Sequence, residues 1–187
     1  MEIQTTETLI KTKWLHLKAT EFLDKEGKSN FWVWVQRPNK QKAIMIIPKI
    51  VDKVLGDKLV LIKEKRIPIG FYDRNYYEWG FPAGLVNDKE DIIDAAKREL
   101  KEEVGLTLNK VIKISPFVYN SAGLTDESIS MVFCEAIGEI TNKNNESTED
   151  IEPVILSKPE ISKLLNDSTQ KFAAKAWIIL NNFVETI

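Results

Sequence analysis

The chain has 187 residues, of which 43% are apolar, so it can bury a sizeable core and needs only a single domain, residues 1–187. Its formal net charge of -2 excludes the strongly basic surface with which proteins usually bind nucleic acids. With Cys134 as its only cysteine and His16 as its only histidine, it can form neither an intrachain disulfide nor a Cys/His zinc site. Since the sequence has no secretory signal pattern and no apolar run of membrane-spanning length, we expect a soluble, cytoplasmic protein that binds no membrane.

The N-terminal part, about residues 1–40, is predicted to be an antiparallel β extension. Alternating apolar residues predict strands between residues 14 and 35, on either side of a polar turn at 24–28. In the second strand, Trp32 and Trp34 share one face while other apolar residues occupy the opposite face. Two interpretations stay open: the tryptophans complete the core of the domain, or one face binds a partner.

Two buried strands and an aromatic loop are predicted next. The apolar runs at 43–50 and 58–62 flank a short polar turn and are typical of buried strands. The segment 66–78 combines proline, glycine and asparagine with aromatic residues. It is therefore predicted to be a loop, of the kind that often covers a site.

A helix is predicted from about residue 89 to residue 104. Asn87 or Asp88 can cap its start, and Gly105 supplies the left-handed residue that ends it. Its apolar residues recur at helical spacing and predict the face that docks on the core. This stripe consists of Ile93, Ala96, Leu100 and Val104.

The same helix carries three carboxylates on one face. Glu99, Glu102 and Glu103 stand at positions i, i+3 and i+4, so their like charges should repel unless a cation relieves them. Oxygen ligands of this type favour hard ions, which makes Mg²⁺ our first choice, with Mn²⁺ as the alternative. For the face alone, the competing interpretation is a solvated surface that makes ordinary ion pairs.

The C-terminal part is predicted to contain three strands followed by two helices. Strands are predicted at 111–118, 128–136 and 153–156, with a polar and acidic loop at 141–150 between the last two. Helices are predicted near 158–165 and 170–184.

The spacing of residues 84–106 resembles the Nudix box at every defining position. Its fixed residues are Gly84, Glu90, Arg98, Glu99, Leu100, Glu102, Glu103, Gly105 and Leu106. Of these, Gly84 is expected to permit a backbone turn that is forbidden to other residues. The resemblance implies an α/β (α+β mixed) fold, in which mixed β-sheets are sandwiched by helices. It also implies an enzyme, a Nudix pyrophosphatase that hydrolyses a nucleoside diphosphate linked to another group.

Residues on both sides of the box look like those of ADP-ribose pyrophosphatases. These are the run Trp-Gly-Phe-Pro-Ala-Gly at 79–84 and the segment 116–127, which contains Ser-Ala-Gly-Leu-Thr-Asp. The resemblance implies a nucleoside diphosphate sugar as substrate, most simply ADP-ribose cleaved to AMP and ribose 5-phosphate. It also implies a homodimer formed through the N-terminal sheet, with Trp32 as a candidate to stack on the base.

The family pattern assigns metal-binding roles within the box. Glu99 and Glu103 anchor the ions, Glu102 joins them, and the carbonyl of Ala83 adds one more oxygen. Arg98 orients the cluster by pairing with a carboxylate. Glu90 is either a helix-start stabiliser or a supporting acid.

In similar enzymes the catalytic base is a glutamate of a late loop. By that resemblance Glu149 is our choice, and Glu146 and Glu152 stay open as alternatives. An acidic loop that is merely solvated is the competing interpretation.

Substrate contacts are expected from residues outside the box. Arg66 stands where a similar enzyme places an arginine on the substrate phosphate, although an ion pair with Glu64 or Asp73 is an equal alternative. Gly123 is expected to allow close approach of the terminal ribose, and Glu127 to bind sugar hydroxyls or a metal.

One position departs from the subfamily pattern, because Gly80 stands where many relatives carry a glutamate. Glu78, two residues earlier, is the candidate replacement. The alternatives to an ADP-ribose pyrophosphatase are therefore an enzyme for another nucleoside diphosphate sugar or dinucleotide, and a non-catalytic ADP-ribose sensor.

Overall fold

The computed structural model describes residues 1–38, 42–71 and 76–185. Its strands are β1 Glu2–Lys11, β2 His16–Leu23, β3 Ser29–Gln36, β4 Ala43–Ile50, β5 Lys58–Lys65, β6 Tyr77–Gly80, β7 Ala83–Leu85, β8 Thr107–Ile114, β9 Val118–Tyr119, β10 Ser128–Ile137 and β11 Ile151–Ser157. Its helices are α1 Ile67–Gly70, α2 Ile92–Val104, α3 Lys158–Leu165 and α4 Ala174–Glu185. No helix among these residues is long and apolar enough to cross a membrane.

The N-terminal sheet has the order β1-β2-β3, with both pairs antiparallel. The two strands predicted between residues 14 and 35 are β2 and β3, with the polar turn between them. Strand β1 was not predicted as a separate strand. Every residue of β1 is exposed, so no alternation of buried and exposed side chains marks it in the sequence.

The main sheet is mixed and lies between two layers of helix. Its central order is β11-β5-β4-β10-β8, in which β10 runs parallel to β4 and the other neighbours are antiparallel. Helix α2 packs on one face, where Leu100 and Val104 contact Ile44, Ile62 and Val132 in a fully or almost fully buried core. Helices α3 and α4 cover the other face. The predicted sandwich of mixed sheet and helices is confirmed.

The predicted start of α2 is wrong. Asp91 is its N-cap, and the carboxylate accepts hydrogen bonds from the backbone N–H groups of Ile93 and Asp94. Residues 87–90 instead form a separate turn, because the N–H of Asn87 donates to the Glu90 carboxylate and the N–H of Glu90 donates to the Asn87 carbonyl. Gly105 ends the helix with a φ of 78°, as predicted.

The apolar face of α2 also begins one residue earlier than predicted. Ile93 is exposed, and Ile92 packs on the core in its place. Ile92 stands four residues before Ala96 and eight before Leu100, so it lies on the same side of the helix as these buried residues. Ala96, Leu100 and Val104 are buried as expected.

Other element boundaries differ by a few residues. The strand predicted at 111–118 is β8, which already begins at Thr107, and the residues before 120 form the short β9. The loop predicted at 66–78 contains the short helix α1 and the start of β6; its residues 72–75, including Asp73, lie outside the described ranges. The last strand and the last helix begin at Ile151 and Ala174.

Candidate active site

Two of the three carboxylates on the face of α2 are buried where the helix meets the sheet. Glu99 is 8% exposed and Glu103 is 5% exposed, whereas Glu102 is exposed. The docked face of α2 forces this burial, because Leu100 and Val104 next to them lie in the core. A buried carboxylate carries a large desolvation cost unless an ion or hydrogen bonds compensate it.

Arg98 joins three glutamates of the box. Its Nε and Nη2 bind the two oxygens of Glu90, both at 2.9 Å. Its Nη1 donates to Glu99 Oε1 at 2.7 Å and to Glu102 Oε2 at 3.1 Å. Nη2 also donates to the carbonyl of Leu85 at 3.0 Å, which ties the helix to β7.

Glu90 is a fixed anion in this arrangement. The hydrogen bonds from Arg98 lower the pKa of Glu90 to about 2, and the hydrogen bond from the Asn87 N–H acts in the same direction. A carboxyl with so low a pKa is ionised at any physiological pH and carries no proton to donate. The geometry therefore favours a structural role for Glu90 over that of a supporting acid.

Gly84 is required for space rather than for an unusual backbone turn. The expectation of a backbone conformation forbidden to other residues is wrong, because Gly84 is not among the glycines with positive φ. A Cβ at this position would instead lie 1.8 Å from Oε1 and 2.0 Å from Cδ of Glu99. The absence of a side chain at Gly84 is what lets the Glu99 carboxylate lie against β7.

Glu103 is held by the strand on which Ala83 lies. The N–H of Ala83 donates to Glu103 Oε2 at 3.0 Å. Burial raises the pKa of Glu103 to about 9 against this hydrogen bond, and the charges of Glu99, Glu64 and Glu149 act in the same direction as burial. Burial likewise raises the pKa of Glu99, against the opposing effect of Arg98.

The donor set fits a hard divalent cation, because Glu99, Glu102 and Glu103 offer only oxygen and lie on neighbouring turns of one helix. Within the described ranges, no three acidic, cysteine or histidine side chains are placed so that they could hold one ion together. Arg98 binds the carboxylates of Glu99 and Glu102, and the Ala83 N–H binds that of Glu103. Side-chain rotation away from these partners is therefore needed before all three can bind the same ion.

Glu149 lies near the same cluster. Its negative charge contributes to the raised pKa values of Glu64, Glu99 and Glu103, in each case after burial as the largest cause. Its carboxylate accepts a hydrogen bond from the N–H of Glu146 at 3.0 Å. The late loop thus brings a carboxylate close to the buried glutamates.

The late loop is anchored at both ends. The side-chain amide of Asn144 donates to the carbonyl of Lys101 near the end of α2, at 3.2 Å. At the other end Asp150 forms an ion pair with Lys65, and its carbonyl accepts from the Lys65 N–H at 3.2 Å. These contacts attach Glu149 to α2 and to β5.

Of the two alternative bases, Glu152 is on the wrong face of the sheet. It is the second residue of β11, after Ile151, which is buried on the α2 face. Since successive side chains of a strand point to opposite faces, Glu152 points away from α2. Glu146 is exposed and stays in the loop with Glu149.

Arg66 forms an ion pair with Glu64, one of the two partners considered from the sequence. It forms a second ion pair with Glu78. Its Nη2 lies 2.8 Å from Glu64 Oε2, and its Nε donates to Glu78 Oε1 at 3.1 Å. Glu64 was missed as a site residue, because in the run Lys-Glu-Lys-Arg nothing in the sequence separates it from its charged neighbours. Only the pairing of β5 with β6 shows that it faces Glu78.

Trp32, Gly123 and Glu127 lie together at the junction of the N-terminal sheet and the loop 120–127. The indole Nε1 of Trp32 donates to the Gly123 carbonyl at 3.0 Å, and Glu127 accepts from Arg37 and Asn120. Trp32 is 47% exposed, so it does not complete a core. With Trp34, Phe22, Tyr119 and Asp126 it lines an open cavity of about 540 Å³.

The Glu127 carboxylate already accepts hydrogen bonds from neighbouring side chains of its own chain. Burial alone would raise its pKa, but hydrogen bonds from Arg37 and Asn120 and the charges of Arg37 and Lys175 outweigh burial, so the pKa lies below its usual value. The carboxylate is therefore an anion that already has cationic and amide partners. A substrate or metal contact by Glu127 has to compete with these bonds.

Comparison with known proteins shows which family the fold and the box residues resemble. The NUDIX domain family model matches residues 40–177. The ADP-sugar pyrophosphatase of Mus musculus is 32% identical over 127 residues, which are 65% of this chain and 56% of the mouse protein. The ADP compounds hydrolase NudE of Escherichia coli is 40% identical over 90 residues, which are 46% of this chain and 43% of that protein.

A solved structure shares the architecture over almost the whole chain. The crystal structure of an ADP compounds hydrolase aligns with a TM-score of 0.72 and 23% sequence identity. The alignment covers 98% of this chain and 93% of the other, so the N-terminal sheet is included in the likeness of fold. The chain spans about three fifths of the length of the curated relatives that it matches.

Proposed function

Because this chain belongs to the Nudix family, we propose that it hydrolyses the diphosphate bond of a nucleoside diphosphate sugar, with ADP-ribose cleaved to AMP and ribose 5-phosphate. The observation that carries the proposal is the buried pair Glu99 and Glu103, which lies on α2 beside Glu102 and within the field of Glu149. The names of the relatives, an ADP-sugar pyrophosphatase and an ADP compounds hydrolase, support an ADP-containing substrate.

The proposed cofactor is Mg²⁺, held by Glu99, Glu102 and Glu103 with the carbonyl oxygen of Ala83. A bound divalent cation would neutralise charge on the diphosphate and lower the pKa of water. Arg98 contributes by fixing Glu99 and Glu102 from one side, while the Ala83 N–H fixes Glu103 from the other. These contacts keep the three carboxylates on one side of α2, from which side-chain rotation would bring them to one ion.

We assign the removal of the water proton to Glu149. Its carboxylate lies in the field of the buried glutamates, and its loop is anchored to α2 and β5. Glu149→Gln is therefore expected to lower kcat by about 10², the size of a lost general base, with KM little changed. Steady-state kinetics measure this effect, and Glu146→Gln is the comparison from the same loop. An unchanged kcat in Glu149→Gln, or an equal loss in Glu146→Gln, would reject the assignment.

The substrate contacts in this proposal come from the two sides of the site. Arg66 binds the diphosphate, Trp32 stacks on the base, and Gly123 with Glu127 contacts the terminal ribose. The open aromatic cavity beside Trp32 supports the base position, since a flat ring can stack on an indole.

We also infer a cytoplasmic homodimer. A chain with Cys134 as its only cysteine, buried in β10, has no need of an oxidising compartment. The dimer is proposed to form through the N-terminal sheet. Phe31 and Val33 of β3 are 66% and 51% exposed, which leaves apolar surface for a second copy to cover.

The test is a substrate panel with the purified protein and Mg²⁺. The panel contains ADP-ribose, ADP-glucose, GDP-mannose, NADH and dinucleoside polyphosphates, with products followed by chromatography. We expect AMP and ribose 5-phosphate from ADP-ribose, and the highest kcat/KM for that substrate. Preference for another member of the panel would support the hydrolase activity and reject ADP-ribose as the preferred substrate. Tight binding of ADP-ribose without turnover of any panel member would reject the proposed hydrolysis and support a non-catalytic sensor.

A further inference from the structure

Two carboxylates face each other directly across two strands beside the site. Glu64 on β5 and Glu78 on β6 are register partners in the antiparallel ladder. Their side chains therefore share one face of the sheet, a few ångströms apart. Even-numbered residues of β5 such as Ile62 face α2, so this is the face that also carries the box glutamates.

Like charges placed directly opposite in a ladder destabilise it unless a cation lies between them. Arg66 supplies the cation, because its Nη2 pairs with Glu64 and its Nε pairs with Glu78. The backbone of Arg66 is fixed as well, since its N–H donates to the Tyr76 carbonyl at 3.0 Å. Two carboxylates and one carbonyl thus hold Arg66, the residue that follows β5.

The two acceptors are much less exposed than the arginine that they hold. The side chains of Glu64 and Glu78 are 13% and 20% exposed, whereas that of Arg66 is 48% exposed. Ion pairs of this kind on an open surface contribute little, because both side chains are free to move. Here the carboxylates are part of the sheet and mostly buried, whereas the Arg66 side chain is 48% exposed. Within the described ranges, no residue binds Nη1 of Arg66.

We propose that Glu64 and Glu78 are positioning residues that form a carboxylate clamp, defined by these two residues, and hold Arg66 ready to bind the diphosphate of the substrate. The proposal rests on the proposed function for the identity of the substrate. The clamp binds Nε and Nη2, which leaves Nη1 without a partner among the described residues.

The consequence is a dependence of Glu64 on Arg66 that a double-mutant cycle measures. Glu64→Gln alone is expected to raise KM about tenfold with kcat changed much less, the size of a lost supporting contact. In the Arg66→Ala background the same substitution is expected to have no further effect on KM. Glu78→Gln should behave in the same way. Arg66→Lys should resemble Arg66→Ala, because an ammonium cannot bind both carboxylates in a fixed fork.

The cycle is run on two readouts, KM for the substrate found in the panel and Kd for ADP measured by calorimetry. Glu135→Gln is the matched control, since it removes a carboxylate from β10 on the opposite face of the same sheet, and it should leave both readouts unchanged. Melting temperatures of all variants show whether each one is folded.

Each outcome decides a separate question. Loss of the Glu64 effect in the Arg66→Ala background supports the clamp, and this holds for Kd even if no substrate is turned over, in which case the proposed hydrolase alone fails. Equal effects of Glu64→Gln with and without Arg66 reject the clamp while leaving the hydrolase intact. A fall in melting temperature without a change in KM or Kd also rejects it, because the carboxylates would then only stabilise the ladder.

Discussion

Glu103→Gln is expected to lower kcat by about 10³ while the protein stays folded. Loss of one negatively charged metal ligand removes several kcal/mol of charge stabilisation, and each 1.36 kcal/mol is a factor of ten in rate. The amide is nearly isosteric, and its oxygen can still accept the hydrogen bond that Ala83 donates to Glu103. The fold therefore keeps its contact and loses only the charge.

Thermal unfolding separates this effect from misfolding. Burial raises the pKa of Glu103, so an ionised carboxylate is costly at this position until an ion binds. In EDTA the variant should therefore melt at the same temperature as the wild type or above it. Mg²⁺ should raise the melting temperature of the wild type and much less that of the variant. Full activity in Glu103→Gln, or an equal response to Mg²⁺, would rule out Glu103 as a metal ligand.

Gly84→Ala is expected to cause a similar loss of kcat without touching a carboxylate chemically. The added Cβ would lie 1.8 Å from Glu99 Oε1, a distance that no side chain tolerates, so the Glu99 carboxylate must move. That carboxylate is the far end of a flexible side chain, and the fold can absorb its displacement. The metal site cannot, because the added methyl group occupies the space beside β7 in which the Glu99 carboxylate lies. We expect kcat to fall by about 10³, as for a lost ligand.

Gly80→Ala is the matched control, four residues earlier on β6. A Cβ there meets only Ile62 Cγ1, at 3.9 Å, and the backbone of Gly80 is not left-handed. We expect its kcat and melting temperature to stay near those of the wild type. Comparison of the two alanine variants in kinetics and in thermal melts isolates the contact with Glu99. Equal activities for both would show that Glu99 need not lie against residue 84.

The box was predictable through its resemblance to the Nudix family, and local periodicity alone predicts only part of it. Glu99, Glu102 and Glu103 share a helix face by spacing alone, and Gly105 ends that helix as predicted. The cap was not predictable from composition, since Asn87, Asp88 and Asp91 are all good capping residues. The choice depends on the bond of Glu90 to Arg98, eight residues further along, which draws residues 87–90 into their own turn.

The contacts that depend on strand pairing could not be predicted from the sequence. Glu64 and Glu78 meet only because β5 and β6 pair in one particular register, and a shift by one residue would place them on opposite faces. The role expected for Gly84 failed for the same reason, since its neighbour Glu99 approaches from another element. The choice of Glu149 comes from resemblance to a family, not from any local pattern in the acidic loop, and it stays a prediction.

The contacts between the N-terminal sheet and the loop 120–127 limit how far the N-terminus can be shortened in a functional protein. Sequence similarity to the family model starts at residue 40, yet three side chains before that point, Trp32, Gln36 and Arg37, bind Gly123, Asp126 and Glu127. Val35 also donates its N–H to the Leu124 carbonyl at 2.9 Å. A shortened protein cut at the edge of the similarity would keep every box residue and lose the partners of this loop. The limit of detectable similarity is therefore not a safe place to truncate the chain.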